Sequence, residues 1–212
     1  MNWGLTSVVF MWLVIAVTAL SAAAAIFVLG HRGWNKGLGA VGAALLLIAL
    51  LSLLQIQYAP TAPWQGLVLS CLLFSLALDG VLLGLRQFRR LTPHWAWMAL
   101  APLGVLVLGN LPISNDSTLL FVLHAMAAIF FAQMVWASVE LWRMRALDLG
   151  VGYRMLWLAA ILFLAGTPYL QCGLGQGMTL GPPAEGPLWY WMRLLLVVSV
   201  LLLLALGFMR MV

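Results

Sequence analysis

The chain has 212 residues, of which 65% are hydrophobic and 7% are charged, and its formal net charge is +5. Soluble domains carry about a quarter charged residues, and a chain of this length has too little interior to bury so much apolar surface. The composition therefore excludes an ordinary soluble protein and predicts a protein solvated by lipid.

Apolar runs of helical length follow one another along the whole chain. A hydrocarbon core about 30 Å thick takes about 20 apolar helical residues per crossing. We predict a single all-α transmembrane domain over 1–212, a polytopic bundle of seven helices. Their predicted ranges are about 7–29, 38–58, 64–85, 95–111, 118–142, 153–171 and 188–209.

Turn-forming residues bound the first three predicted helices. The first run has no basic region ahead of it and is too long for a signal peptide, so we expect it to be retained. A glycine-rich polar turn at 30–37 ends it, and a proline-containing turn at 59–63 ends the second helix. The third helix ends in an arginine-rich segment at 86–90.

The later helices are less regular. The fourth is the shortest and contains Pro102. The sixth contains Gly166, Thr167 and Pro168, where we expect a kink because proline lacks an amide donor. The longest loop, at 172–187, leads into the seventh helix.

The positions of lysine and arginine predict the orientation of the chain. Short loops rich in basic residues stay on the cytoplasmic side of a membrane. Of the 10 basic residues, Arg193 falls at one set of alternating helix ends and the other nine fall at the opposite set. The nine are Arg32, Lys36, Arg86, Arg89, Arg90, Arg143, Arg145, Arg154 and Arg210. This pattern predicts an N-terminus outside and a C-terminus in the cytoplasm, and it explains the net charge without a nucleic-acid partner.

Among the polar residues inside predicted spans, we single out Asp79, Gln133 and Glu140. An ionisable side chain in hydrocarbon costs at least about 2.5 kcal/mol, so each needs a partner, a water-filled cavity or a function. Asp79 and Glu140 lie at similar depths near the cytoplasmic ends of their helices. An ion pair with the inner arginines is one interpretation of each, and a functional role is the other.

Four residues are candidates for binding a small-molecule or lipid ligand at the outer face: Arg193, His124, Trp64 and Trp189. Arg193 either pairs with an acidic residue or binds an anionic ligand. His124 precedes Gln133 by nine residues, which places the two on opposite faces of one helix. A hydrogen-bonded packing role for His124 is the alternative.

Several kinds of chemistry lack the residues that they need. Haem held by two histidines needs a second intramembrane histidine, yet His31 and His94 fall in turns. A retinal Schiff base needs a lysine inside the bundle, and Lys36, the chain's one lysine, falls in a turn. We therefore expect no enzymatic activity, no cofactor and no metal within these residues.

The chain resembles the N-terminal multi-helix region that precedes the GGDEF domain in bacterial membrane-bound diguanylate cyclases. The likeness rests on the order of the first three helices and on the segments Leu85-Arg86-Gln87-Phe88-Arg89-Arg90, Glu140-Leu141-Trp142-Arg143 and Gly207-Phe208-Met209-Arg210. It implies a sensory and anchoring input domain in a bacterial inner membrane, working as a homodimer. It also implies a cytoplasmic output domain after Val212, because the sequence itself contains no GGDEF signature.

Two alternatives remain open. The chain could be the input domain of another signalling protein, such as a histidine kinase, or a small carrier or channel with Asp79, Gln133 and Glu140 along its path. The small residues at 22–25, 39, 42 and 43 fit close helix packing either between two subunits or within one.

Overall fold

The computed structural model describes residues 3–29, 37–58, 63–113, 115–145, 150–176 and 187–211, and these residues form seven α-helices and no strand. The helices are α1 (Trp3–Leu29), α2 (Leu38–Tyr58), α3 (Pro63–Phe88), α4 (Trp95–Gly109), α5 (Asp116–Arg143), α6 (Gly150–Gln176) and α7 (Pro187–Met211). The predicted all-α class is confirmed, and the predicted helices lie within a few residues of the observed ones. Helix α6 continues through Pro168 to Gln176.

Five of the helices in the described residues are long and apolar enough to cross a membrane. These spans are Val9–Val28, Leu38–Gln57, Trp64–Phe88, Asp116–Arg143 and Leu194–Met211. The apolar helix α4 has 15 residues and is about 22 Å long, which is less than the hydrocarbon thickness. The apolar part of α6, Gly150–Gly166, is also short of a full span. These helices are those of a membrane protein.

Large apolar side chains cover the outer surface of the bundle. The exposed side chains on four different helices include Phe10 and Val28 on α1, Val107 on α4, Phe121 on α5 and Leu195 on α7. Water would penalise such a surface, whereas lipid chains solvate it without cost. Fully buried apolar side chains, including Ile26, Leu45 and Phe208, form the interior.

Packing between helices forms a closed circuit. Helix α1 packs on α2, α2 on α3, α3 on α5, α5 on α6, α6 on α7, and α7 returns to α1. Helix α4 packs against α3 and α5. Among the described residues, the main contacts of α3 are with α2, α4 and α5, so it connects the α1, α2 and α7 side of the bundle with the α4 and α5 side.

Glycines permit the closest helix contacts. Gly37 has a φ of +93° and lies directly against the carbonyl of Gly84, while a Cβ on Gly84 would lie 2.5 Å from Cγ2 of Val41. A Cβ on Gly152 would lie 2.7 Å from the carbonyl oxygen of Gly207. These approaches bring the start of α2 to the end of α3, and the start of α6 to the end of α7.

The small residues in the first two helices are used partly inside the bundle. Ala22, Ala23 and Gly42 are buried, and a Cβ on Gly42 would lie 2.9 Å from the ring of Phe27. Ala24 and Ala43, in contrast, are exposed. Packing within one subunit therefore accounts for the first three residues.

One end of the bundle holds most of the charged residues that the structure describes. The close contacts at Gly84 and Gly152, together with the pairing of Glu140 with Arg86, place the ends of α3, α5 and α7 beside the starts of α2 and α6. We call this the basic end. Its described arginines are Arg86, Arg89, Arg90, Arg143, Arg145, Arg154 and Arg210.

Candidate functional site

A row of buried polar side chains lies between α3 and α5, and we call it the polar seam. It consists of Ser75, Asp79 and Arg86 on α3 and of Gln133 and Glu140 on α5, all of them buried. Intervals of four and seven residues keep the α3 members on one helix face, and an interval of seven does so on α5. Because α3 and α5 turn these faces toward each other, the polar groups pair across the contact instead of facing lipid.

The polar seam has two layers, and the first, which we call the Asp79 layer, is centred on the Gln133 amide. Its Nε2 donates to Oδ1 of Asp79 at 2.8 Å and to the carbonyl oxygen of Ser75 at 3.1 Å. The Ser75 hydroxyl donates to Oε1 of Gln133 at 3.2 Å. One amide thus bonds to both a side chain and a backbone group of α3, which holds the two helices in register.

The ion pair with an inner arginine, one of the two interpretations of Asp79, is not present in the part of the chain that the structure describes. Its hydrogen-bond partner is Gln133, and no arginine contacts it there. The nearest arginine on its own helix face, Arg86, lies seven residues away, or about 10 Å along the axis, and is bound to Glu140. The carboxyl group of Asp79 is therefore held by a neutral donor within the bundle.

The second layer, which we call the Glu140 layer, lies at the basic end and is centred on Glu140. Arg86 Nη1 donates to Oε1 of Glu140 at 2.9 Å, and Arg89 pairs with Oε2. Arg143 lies 3.5 Å from Oε1. The interpretation of Glu140 as the partner of inner arginines is confirmed, and two of these arginines are Arg86 in α3 and Arg89, which follows the end of α3.

Arg86 also fixes the turn that follows α3. Its Nε and Nη2 donate to the carbonyl oxygen of Thr92 at 3.2 and 2.9 Å. With Nη1 bound to Glu140, the planar guanidinium is satisfied on two sides, which suits a rigid fork of donors. A single buried arginine thus connects α3, α5 and the segment between α3 and α4.

The candidate residues for the outer face do not come together in the described part of the structure. His124 is exposed, and its Nδ1 donates to the carbonyl oxygen of Leu120 at 2.6 Å, on the face opposite Gln133 as predicted. Trp64 donates from Nε1 to the carbonyl oxygen of Gly109 at 3.3 Å, which connects α3 to α4. The side chains of Trp189 and Arg193 lie outside the described residues.

Sequence inspection missed Ser75 and the second polar pair between helices. Gln55 on α2 donates to the Ser70 hydroxyl on α3 at 2.5 Å. The four-residue spacing of Ser75 and Asp79 was a usable signal, because it places both on one helix face. Among the described residues, no three His, Cys, Asp or Glu side chains group as metal ligands.

Comparisons with models of protein families, with curated proteins and with solved structures find no match to this chain. No relative's activity therefore bears on the polar seam.

Proposed function

We propose that the chain is the membrane-embedded sensory and anchoring domain of a bacterial signalling protein. In this proposal it crosses the inner membrane seven times, with the N-terminus outside and the basic end at the cytoplasm. It controls a cytoplasmic GGDEF diguanylate cyclase domain that follows α7. It acts by a shift between two helix arrangements and not by chemistry of its own.

The observation that carries this proposal is the position of α3. This helix contributes to both layers of the polar seam, through Asp79 and Arg86, and between them it lies close to the end of α7 at Gly84. A Cβ built on Gly84 would be 3.6 Å from Cε1 of the fully buried Phe208. A change in the Asp79 layer that moved α3 would therefore move the end of α7, from which the output domain would continue.

The basic end supports the proposed orientation. Seven described arginines lie there, whereas Glu140 is its one described acid and is buried. Basic residues beside short loops resist translocation, so such an end remains in the cytoplasm. Reporter tags fused at Met1 and Val212 should report from opposite sides of the membrane. If both report from one side, the odd number of crossings is wrong.

The signalling role is tested with the chain joined at Val212 to a GGDEF domain and expressed in bacterial membranes. Asp79→Asn keeps the shape of the side chain and an oxygen for Gln133, but removes the charge. We expect it to change the cellular level of cyclic di-GMP severalfold while the protein stays in the membrane. The coding sequence beyond codon 212 is the direct check on the output domain.

A matched control separates signalling from general damage. Thr18→Val also removes a polar group from within the bundle, but the Thr18 hydroxyl bonds only to the Val14 carbonyl of its own helix, at 2.8 Å. We expect its cyclic di-GMP level to equal that of the unaltered chain. Equal output from all three proteins at equal membrane abundance would refute the sensory role of the seam.

The second candidate function is a small carrier or channel, and the buried layer of Ser75, Asp79 and Gln133 favours it. Intramembrane carboxylates commonly mark the pathways of ions and protons. Glu140 fits such a path poorly, because its two carboxylate oxygens already pair with Arg86 of α3 and with Arg89, which follows α3. If the chain is a carrier or channel, proteoliposomes that contain it should take up the transported ion or solute, and Asp79→Asn should abolish that uptake. If the chain is a sensor, Asp79→Asn should leave the permeability of the proteoliposome membrane unchanged.

A further inference from the structure

Charge is unbalanced around Glu140. Among the described residues, three guanidinium groups surround one carboxylate, which leaves two positive charges without a described counter-charge. Arg86 is buried, with 7% of its side chain exposed, and its donors are taken by Glu140 and Thr92. The excess charge therefore resides on Arg89 and Arg143, whose side chains are 22% and 58% exposed.

These two arginines converge from different helices. Arg89 follows the end of α3 and Arg143 ends α5, yet both approach the same carboxylate of Glu140. Glu140 is 1% exposed, so it lies beneath them and away from the surface. Two partly exposed guanidinium groups held side by side over a buried anchor provide donors for an anion that approaches from outside.

A tryptophan and a third arginine lie close to Arg143 in the sequence. Trp142 is exposed, and the guanidinium carbon of Arg145 lies 4.5 Å from the centre of its ring. Trp157 of α6 packs edge-on against Trp142 with ring centres 5.9 Å apart. Tryptophan and arginine at a helix end are typical of the headgroup zone of a membrane. This places Arg143 and Arg145 at the depth of lipid phosphates.

An apolar strip leads from this position into the membrane. Phe131, Val135, Val139 and Trp142 are exposed, and their spacing of four, four and three residues places them along one face of α5. The strip is about 16 Å long at 1.5 Å per residue, about half of the hydrocarbon thickness. It has the length and chemistry to contact one acyl chain within one leaflet.

We propose that Arg89, Arg143 and Arg145 bind the phosphate of an anionic phospholipid whose acyl chain lies along the exposed strip of α5. Arginine is suited to this because its fork of donors matches phosphate oxygens and is less strongly hydrated than an ammonium group. Net negative charge is required of the lipid, because it has to offset the two charges that Glu140 leaves uncompensated. A zwitterionic lipid adds a positive group and does not offset them.

The test measures lipid binding to the purified full chain by native mass spectrometry, with phosphatidylglycerol and phosphatidylcholine of identical acyl chains as probes. We expect the unaltered chain to retain phosphatidylglycerol in preference to phosphatidylcholine. Arg143→Gln should weaken phosphatidylglycerol binding about fivefold, the effect of one basic residue near an anionic membrane surface. Arg145→Gln is a second variant of the same site, with a similar expected loss.

Arg210→Gln is the matched control, because it removes the same charge from another exposed arginine at the basic end. We expect it to leave phosphatidylglycerol binding within about twofold of the unaltered value, compared with the fivefold expected at the site. Equal losses in Arg143→Gln and Arg210→Gln would indicate a diffuse charged surface and overturn the site. Equal retention of the two lipids, or displacement of phosphatidylglycerol by inorganic phosphate at equal concentration, would also overturn it.

Discussion

Removing the Glu140 charge is the most informative perturbation of this structure. Glu140→Leu leaves Arg86 with a positive charge in a site where 7% of its side chain is exposed. Deleting one partner of a buried ion pair costs about 3–5 kcal/mol, because the remaining charge has lost its compensation. The free energy of unfolding should fall by that amount, which would leave many membrane-protein domains barely folded.

Removing the positive charge of Arg86 as well should recover part of the stability that Glu140→Leu loses. Arg86→Met combined with Glu140→Leu removes both charges, and buried ion pairs replaced by apolar side chains are often neutral in stability. The double variant still loses the bonds from Arg86 to the Thr92 carbonyl, which costs about 1–2 kcal/mol. We therefore expect it to be about 2 kcal/mol more stable than Glu140→Leu alone.

Both variants are measured by reversible denaturant titration in detergent micelles, with far-UV circular dichroism and tryptophan fluorescence as independent probes. Arg143→Gln is the control, since its side chain is 58% exposed and lies 3.5 Å from Glu140. An exposed pair of this kind contributes under about 1 kcal/mol. A Glu140→Leu protein within about 1 kcal/mol of the unaltered chain would refute the reasoning. So would a double variant less stable than Glu140→Leu.

Two other substitutions, one of them with a matched control, test the helix packing and the Asp79 layer. The thermal unfolding midpoint of each variant is measured. Gly84→Ala should destabilise by about 1–3 kcal/mol, because its Cβ would lie 2.5 Å from Val41 Cγ2, whereas Gly104→Ala meets the movable end of Ile129 at 3.0 Å and should cost less. Equal midpoints for the two alanine variants would contradict this account. Gln133→Leu should cost about 1–3 kcal/mol, because Asp79 loses its donor. A Gln133→Leu protein as stable as the unaltered chain would mean that the hydrogen bonds of Gln133 contribute no net stability.

The link between the seam and α7 is the physical basis of the proposed signalling role. Packed interiors shift between discrete arrangements because they are too dense to deform continuously. Gly84 lies between Asp79 and Arg86 along α3, and a Cβ built on it would be 3.6 Å from the fully buried Phe208. A rotation of α3 that rearranges the Asp79 bond therefore has to be accommodated at Phe208.

The sequence alone determined which segments are helices, and it did so nearly to the residue for α2. A segment surrounded by lipid has to satisfy its backbone hydrogen bonds internally, so apolar runs of sufficient length have a single solution. The sequence also favoured the pairing of Glu140 with arginines, one of two interpretations of that residue, because nine of the ten basic residues fall at one set of helix ends. It also placed His124 and Gln133 on opposite faces of α5.

Only the tertiary structure decided which partners meet. Asp79 and Glu140 lie at similar predicted depths, yet Asp79 bonds to Gln133 and Glu140 takes Arg86 and Arg89. The choice depends on the rotation of α3 and α5 about their own axes, which hydropathy does not encode when a helix is apolar on all sides. Glycine contacts such as Gly37 against Gly84 set those rotations, because two backbones approach closely only where neither carries a side chain.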